Sequence, residues 1–363
     1  MKIVLIEPQH RKSIFSMQKY ANELAFGLAK DGINVSRYKA PSSKNVFISK
    51  LYKYVFYPIY FYFSNFDIYH VIDHSYGFLG ALPRWKKKII ITCHDIIPIV
   101  QSQNYPTHSV NIFKYNILKM AKADCIISVS QYTRDCLKNF YKKYNIEVEK
   151  KLVVIYEGVN IVRYISSTEK KGFRELLGFS ENDIVILHVG SNAINKNVEI
   201  IISAVAKLSN YRNNVKFLKI GGKFTREQEL LISKLKIEKI IKTISNTEWS
   251  IVELAYRASD IFIFPSLSEG FGFPPLEAIS AEIPVIASNI DIFKEIISEY
   301  SSLIKPDDDI EIMNAVENII NNKNKNNNLI ENRKKCIEKY SWSKTIRETK
   351  NIYNYIYKAV SNS

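Results

Sequence analysis

The stretch "SLSEGFGFPPLEAIS", residues 266–280, sets Glu269 and Glu277 on either side of a turn rich in glycine and proline. The apolar run "IFIF" (261–264) precedes it and "IPVIAS" (283–288) follows it. A short apolar run bounded by turn residues reads as a strand buried on both faces, so residues 266–280 form the loop and helix leaving its carboxyl end. Pro274 and Pro275 suit the first turn of a helix, where a missing N–H costs nothing. Just ahead of them, Gly270 and Gly272 leave the backbone uncovered, so N–H groups and the positive end of the helix dipole can face an anion. Phosphate is the expected guest. A carboxylate is a poor neighbour for phosphate but a good acceptor for vicinal hydroxyls, at about 1.5–3 kcal/mol per charge-assisted hydrogen bond. Two such carboxylates flanking a phosphate-binding turn describe a nucleotide-sugar pocket.

Working outward, strand-length apolar runs alternate with helical periodicity along the whole chain. In the first half they are "KIVLIEP", "NVSRY", "IYHVID", "KIIITCHD", "CIISVS" and "LVVIYEG". The second half has "IVILHVG", "VKFLKIGG", "IKTIS", "IFIFPS", "PVIASN" and "SSLIKP". The expected fold is α/β: two doubly wound parallel sheets, each covered by helices. The 363 residues suit two such domains. Periodicity lapses over residues 160–172, which puts the expected domains at 1–165 and 166–340. A terminal helix, 341–363, carries Trp342 and several tyrosines and is expected to pack back towards the first domain. In such sheets the chemistry belongs to the loops after the strands.

The formal charge is +15. Residues 1–170 hold 25 basic and 12 acidic side chains, whereas residues 171–363 hold 26 and 24, so the excess sits in the first half. A basic half suggests an anionic partner: a membrane surface, a phosphorylated substrate or nucleic acid. Nucleic acid has only the charge in its favour, since no helix-turn-helix, zinc-finger or RNA-recognition signature is present and the basic half lacks the nucleotide-sugar motif. The aromatic and basic run "KLYKYVFYPIYFYF" (50–63) reads either as an interfacial membrane segment or as a helix packed on its sheet, and "PRWKKKII", with Arg84, Lys86, Lys87 and Lys88, as a second contact point. Cys93, Cys125, Cys136 and Cys336 form no C-x-x-C pair, which points to a reducing compartment without a cysteine metal site. No signal peptide or spanning helix is apparent, so the expected location is cytoplasmic, at the inner face of a membrane if the basic half meets one. Asp307, Asp308 and Asp309 precede a helix and read as its start, with no metal expected.

The block "FPSLSEGFGFPPLEAISAEIPVIAS" resembles the signature of the retaining glycosyltransferases of family 4, with its Glu-x7-Glu spacing. Further segments follow in that family's order: "TCHDIIPI", "VSQYTRDCL", "VIYEGVN", "HVGSNAINKN" and "YSWSKT". The resemblance implies the GT-B fold, two Rossmann-like domains with a cleft between them, and a hexosyltransferase that needs no metal or other cofactor. It implies a nucleoside-diphosphate sugar as donor and a glycan or lipid-linked acceptor in surface polysaccharide synthesis; base and sugar stay open, with a mild preference for GDP-mannose from the look of "HDIIP". Glu269 should bind donor-sugar hydroxyls, helped by backbone N–H groups around Gly270, Phe271, Gly272 and Phe273. Glu277 should hold the ribose beside Leu276, and Lys196, next to the loop of Gly190 and Ser191, the leaving diphosphate. Ser191 stands where family members often carry Arg, so neutralisation falls to Lys196 or to Lys223 or Arg226. His94 should reach the donor sugar; Asp95 is either catalytic or a cap for the following helix. Ser13 and Ser16 are acceptor-side candidates in the loop after the first strand. A sugar-nucleotide epimerase on the same fold is the nearest competing enzyme.

Overall fold

A computed structural model of the chain describes residues 1–9, 15–41, 43, 45–83, 87–245, 247–322 and 328–361, with the backbone alone described for residues 15, 16 and 359–361. It divides into two compact units, Met1–Gly158 together with Tyr340–Ser363, and Val159–Lys339. The division falls between Gly158 and Val159, a few residues ahead of the expected 165/166.

The first unit is built on six parallel strands: β1 (Lys2–Ile6), β2 (Asn34–Tyr38), β3 (Ile68–Val71), β4 (Lys88–Cys93), β5 (Cys125–Ser128) and β6 (Leu152–Val154), in the order β2-β1-β3-β4-β5-β6. Alternation within the apolar runs explains why both faces are covered. Val4 and Ile6 join Tyr69, Val71, Ile89 and Ile91 in one core, while Ile3 and Leu5 join Ile68, Ile90 and Ile127 in another. The second core is closed by the terminal helix Trp342–Ser361, which places Tyr353 and Ile356 in it. The Tyr353 hydroxyl lies 2.6 Å from His70 Nδ1, and the Thr345 hydroxyl donates to the Tyr156 carbonyl at 2.8 Å.

The second unit repeats the scheme with β7 (Ile184–Val189), β8 (Val215–Ile220), β9 (Ile241–Ile244), β10 (Ile261–Phe264), β11 (Val285–Ser288) and β12 (Ser301–Ile304), in the order β12-β11-β10-β7-β8-β9. Residues 167–172, read from sequence as part of a lapse in periodicity, open a helix, Ser167–Leu176. Its signal is a reciprocal cap: the Ser166 side chain accepts from the Glu169 N–H, and the Glu169 side chain accepts from the Ser166 N–H. Asp308 caps the helix Asp309–Asn321 by accepting from the N–H groups of Ile310 and Glu311, so the aspartate run is a helix start.

Where strand order reverses, adjacent loops leave in opposite directions and open a crevice at the carboxyl ends. In the second sheet that point lies between β7 and β10, and the loops there are 190–197 and 265–272. In the first sheet it lies between β1 and β3.

Candidate active site

The loops after β7 and β10 are stitched to each other. Asn195 Nδ2 donates to the Ser268 carbonyl at 3.1 Å, and the Leu267 N–H donates to the Asn195 carbonyl at 2.8 Å. Asn197, in the left-handed region at φ 53°, donates from Nδ2 to the carbonyls of Pro265 (3.3 Å) and Pro306 (2.5 Å). This stitching brings Lys196 Nζ to 2.5 Å from Glu269 Oε1, with both side chains mostly buried and the ammonium 5.0 Å from the centre of the Phe264 ring. Two residues 73 positions apart, expected at the diphosphate end and the sugar end of a donor, thus form one ion pair.

Gly272 caps the helix Phe273–Ser280 at φ 95°, a conformation that favours glycine, and a Cβ there would lie 2.6 Å from a Phe293 ring carbon. The rings of Phe271 and Phe273 meet edge to face, with centroids 5.4 Å apart, and Gly270 lies between Glu269 and this pair. Glu277 is buried and accepts a hydrogen bond from the Tyr256 hydroxyl at 3.0 Å. Tyr256 itself is fully buried, on the helix Trp249–Ala258, and was not singled out from sequence. Leu276 is wholly buried.

The loop of Gly190 and Ser191 has a second basic residue behind it that sequence reasoning passed over. Ser191 is exposed, as are Lys223 and Arg226. Lys219, on β8, is fully buried, and its Nζ lies 2.8 Å from the Gly222 carbonyl, 3.3 Å from that of Gly221 and 3.4 Å from that of Gly190. An ammonium has three N–H donors, and these three carbonyls match them. Burial pushes the Lys219 ammonium down to about 8. Gly221, at φ 100°, lets the loops touch, because a Cβ there would lie 2.7 Å from the Gly190 carbonyl oxygen. Between the two lysines lies His188, held neutral by burial at about 3; its Nδ1–H donates to the Ile263 carbonyl at 3.0 Å and its ring stacks on Phe264. The legible signal was Lys219 sharing a strand face with apolar Phe217, two residues earlier.

In the first unit, His94 follows β4. Its Nδ1 lies 2.8 Å from Glu157 Oε1 and its Nε2 lies 2.8 Å from the Ile72 carbonyl oxygen. Burial disfavours the imidazolium, but the Glu157 carboxylate and the Ile72 carbonyl outweigh it and raise the group to about 9. Both ring nitrogens therefore donate, and both are committed within this unit. The expected contact of the His94 ring with a sugar would require one of these bonds to break. Glu157, only 2% exposed, is the third residue that sequence reasoning missed. The His94 N–H donates to Nδ1 of buried His74 at 3.3 Å. Asp95 Oδ1 accepts from the Ile97 N–H at 3.0 Å, just ahead of the helix Ile97–Val100, whose N-cap residue is Ile96. Ser13 lies outside the described residues, as does the side chain of Ser16.

Residues 19–163 match the family model described as Glycosyltransferase Family 4, and residues 169–336 the one described as Glycosyl transferases group 1. Between them the two matches take in most of the chain, which belongs to the family 4 glycosyltransferases, enzymes of the GT-B class. Among relatives, the O-antigen chain mannosyltransferase RfbU of Salmonella typhimurium is 25% identical over 248 residues, 64% of this chain and 65% of that protein. An uncharacterized glycosyltransferase of Methanocaldococcus jannaschii, MJ1607, is 26% identical over 307 residues, 80% of this chain and 75% of that one. The aligned part of this chain thus spans just under two-thirds of RfbU. Among solved structures, sucrose-phosphate synthase from Thermosynechococcus elongatus superposes with a TM-score of 0.80 at 17% identity, covering 99% of this chain and 100% of that one. HepE of Anabaena, solved with UDP and glucose, superposes with a TM-score of 0.77 at 16% identity, covering 98% and 100%.

Proposed function

We propose that the protein transfers a hexose, with mannose preferred, from a nucleoside-diphosphate sugar to a glycan or lipid-linked acceptor in surface polysaccharide synthesis, with retention at the anomeric carbon. The observation that carries this reading is the Lys196–Glu269 pair at the switch point of the second sheet, beside the Gly270–Gly272 turn and buried Glu277. In this reading Glu277 accepts from the ribose hydroxyls and Glu269 from the sugar. Lys196 exchanges its carboxylate partner for the diphosphate and stabilises the charge that grows on it. The C1–O bond to the β-phosphate breaks, and the acceptor oxygen bonds to C1 on the same face. The acceptor proton passes to the departing phosphate oxygen, as the family resemblance implies, without a cofactor. RfbU, named a mannosyltransferase, supports mannose; HepE, solved with UDP, keeps uridine in play as the base.

The test is transfer from GDP-mannose, UDP-glucose and UDP-N-acetylglucosamine to short glycan and polyprenyl-linked acceptors, with the product read by NMR. The reading expects a new glycosidic bond with the donor's own anomeric configuration. Inverted product would overturn retention, and interconverted free nucleotide sugar without transfer would favour the epimerase.

A further inference from the structure

Residues 46–63 form one continuous helical run: Val46–Leu51, a π-helical turn Tyr52–Phe56, and Tyr57–Phe63. One side is core. Tyr57 and Phe61 are buried, and the Tyr57 hydroxyl donates to the Glu7 carbonyl at 2.6 Å. The other side is equally apolar and faces outward. Phe47, Leu51, Val55, Ile59 and Phe63, spaced by four, are all exposed, and Phe47 and Phe63 keep 74% and 85% of their surface. Tyr54, Phe56 and Tyr62 widen the strip.

In a regular helix of 3.6 residues per turn, an i+4 row drifts round the axis. The π turn lowers the rotation per residue, so the row stays nearer one side. A helix that is apolar all round is normally buried all round, and an exposed apolar strip of this length marks an interaction site.

Charge identifies the partner. No Asp or Glu occurs between Tyr38 and Phe66, whereas Lys39, Lys44, Lys50 and Lys53 do. Lys39 and Lys50 are exposed, and Lys53 stands 4.4 Å from the centre of the Tyr76 ring. Tyrosine and lysine suit a headgroup layer, and phenylalanine and isoleucine the acyl boundary beneath it.

Lys87 anchors the run. Its Nζ donates to the carbonyls of Phe61 (2.5 Å), Tyr62 (2.9 Å) and Ser64 (2.8 Å), placing a cation at the helix's negative end. Lys88 lies 3.5 Å from Asp124. These two lysines of "PRWKKKII" are therefore taken up within the unit, and Arg84 and Lys86 lie outside the described residues. Among the described residues no helix is long and apolar enough to cross a membrane, so the contact is a surface one.

We infer that the outward face of residues 46–63 docks on an anionic lipid bilayer, with Phe47 and Phe63 inserted and Lys39 and Lys50 against the headgroups. The test uses the full chain without any sugar substrate, so its outcome is independent of the transferase reading. Cosedimentation is measured with phosphatidylcholine vesicles and with vesicles that are about one-third phosphatidylglycerol. Binding to the anionic vesicles should exceed that to neutral ones at least about tenfold at low salt and fall towards 1 M salt. Joint Phe47→Ser and Phe63→Ser substitution should reduce it about tenfold or more, with the thermal midpoint unchanged because both side chains are exposed. A Phe47→Trp variant should show blue-shifted emission with anionic vesicles. Equal binding to both vesicle types, or wild-type binding by the double variant, would overturn the inference. A wild-type dimer that the double variant turns monomeric would overturn it too, by making a second copy the occupant.

Discussion

The two sheets place ionisable groups at their carboxyl edges in opposite ways. After β7 and β10, Lys196 and Glu269 pair with each other beside loops built from Gly190, Gly270 and Gly272. After β4, His94 is locked between Glu157 and a backbone carbonyl, with both ring donors engaged. On the proposed function the first arrangement is an exchangeable ion pair; in the second, both His94 ring nitrogens are already bonded within their unit. Charged residues beside family-like motifs thus differ in how many of their donors the fold already commits.

The comparison breaks most sharply at Lys196. Lys196→Ala should lower kcat by about 100- to 1,000-fold while weakening donor binding less, because the charge it meets grows in the transition state. Steady-state kinetics with the preferred donor would show this split, and a variant with unchanged kcat would place the exchangeable pair outside the chemistry.

Lys219 sharpens it. Lys219→Met should weaken nucleoside-diphosphate affinity about tenfold, since it removes the ammonium tying the loops of Gly190 and Gly221. Wild-type affinity should also fall as pH rises through about 8, where Lys219 loses its proton, and the variant should lack that step. Titrations at pH 7 and pH 9 distinguish the two.

The His94–Glu157 pair should act on stability. Its folded value of about 9 lies above the ordinary 6.5, so its contribution is complete below pH 6.5 and lost as pH rises through 9. That loss amounts to roughly 3 kcal/mol, at about 1.36 kcal/mol per pH unit. Denaturant titrations of wild type and His94→Gln should converge as the pH rises.

The smallest effect is expected at Tyr256. Tyr256→Phe removes the hydroxyl that orients Glu277, and donor KM should rise about two- to tenfold with kcat nearly unchanged.

The inner strands were legible because parallel strands covered on both faces must be apolar at nearly every position, and runs such as "KIIITC" and "IFIF" meet that demand, whereas the edge strands "NVSRY", "IKTI" and "SSLI" carry polar residues. The loop of Glu269 and Glu277 was legible because its glycines and prolines dictate backbone shape locally. Glu157 was not, because it meets His94 across 63 positions through strand order that no local pattern reveals. Lys219 stood in a strand, where a lysine ordinarily marks a solvated face. The helix Ser167–Leu176 was hidden by polar residues that turned out to be its cap.

The central claim is that the switch point of the second sheet holds a nucleoside diphosphate with its ribose on Glu277. Calorimetric titration of GDP and UDP into wild type and Glu277→Ala tests it most directly. The account predicts that at least one nucleotide binds wild type and loses about 10- to 150-fold in affinity in the variant, the equivalent of about 1.5–3 kcal/mol for one charged hydrogen-bonding group. Equal affinity for the two proteins would contradict it.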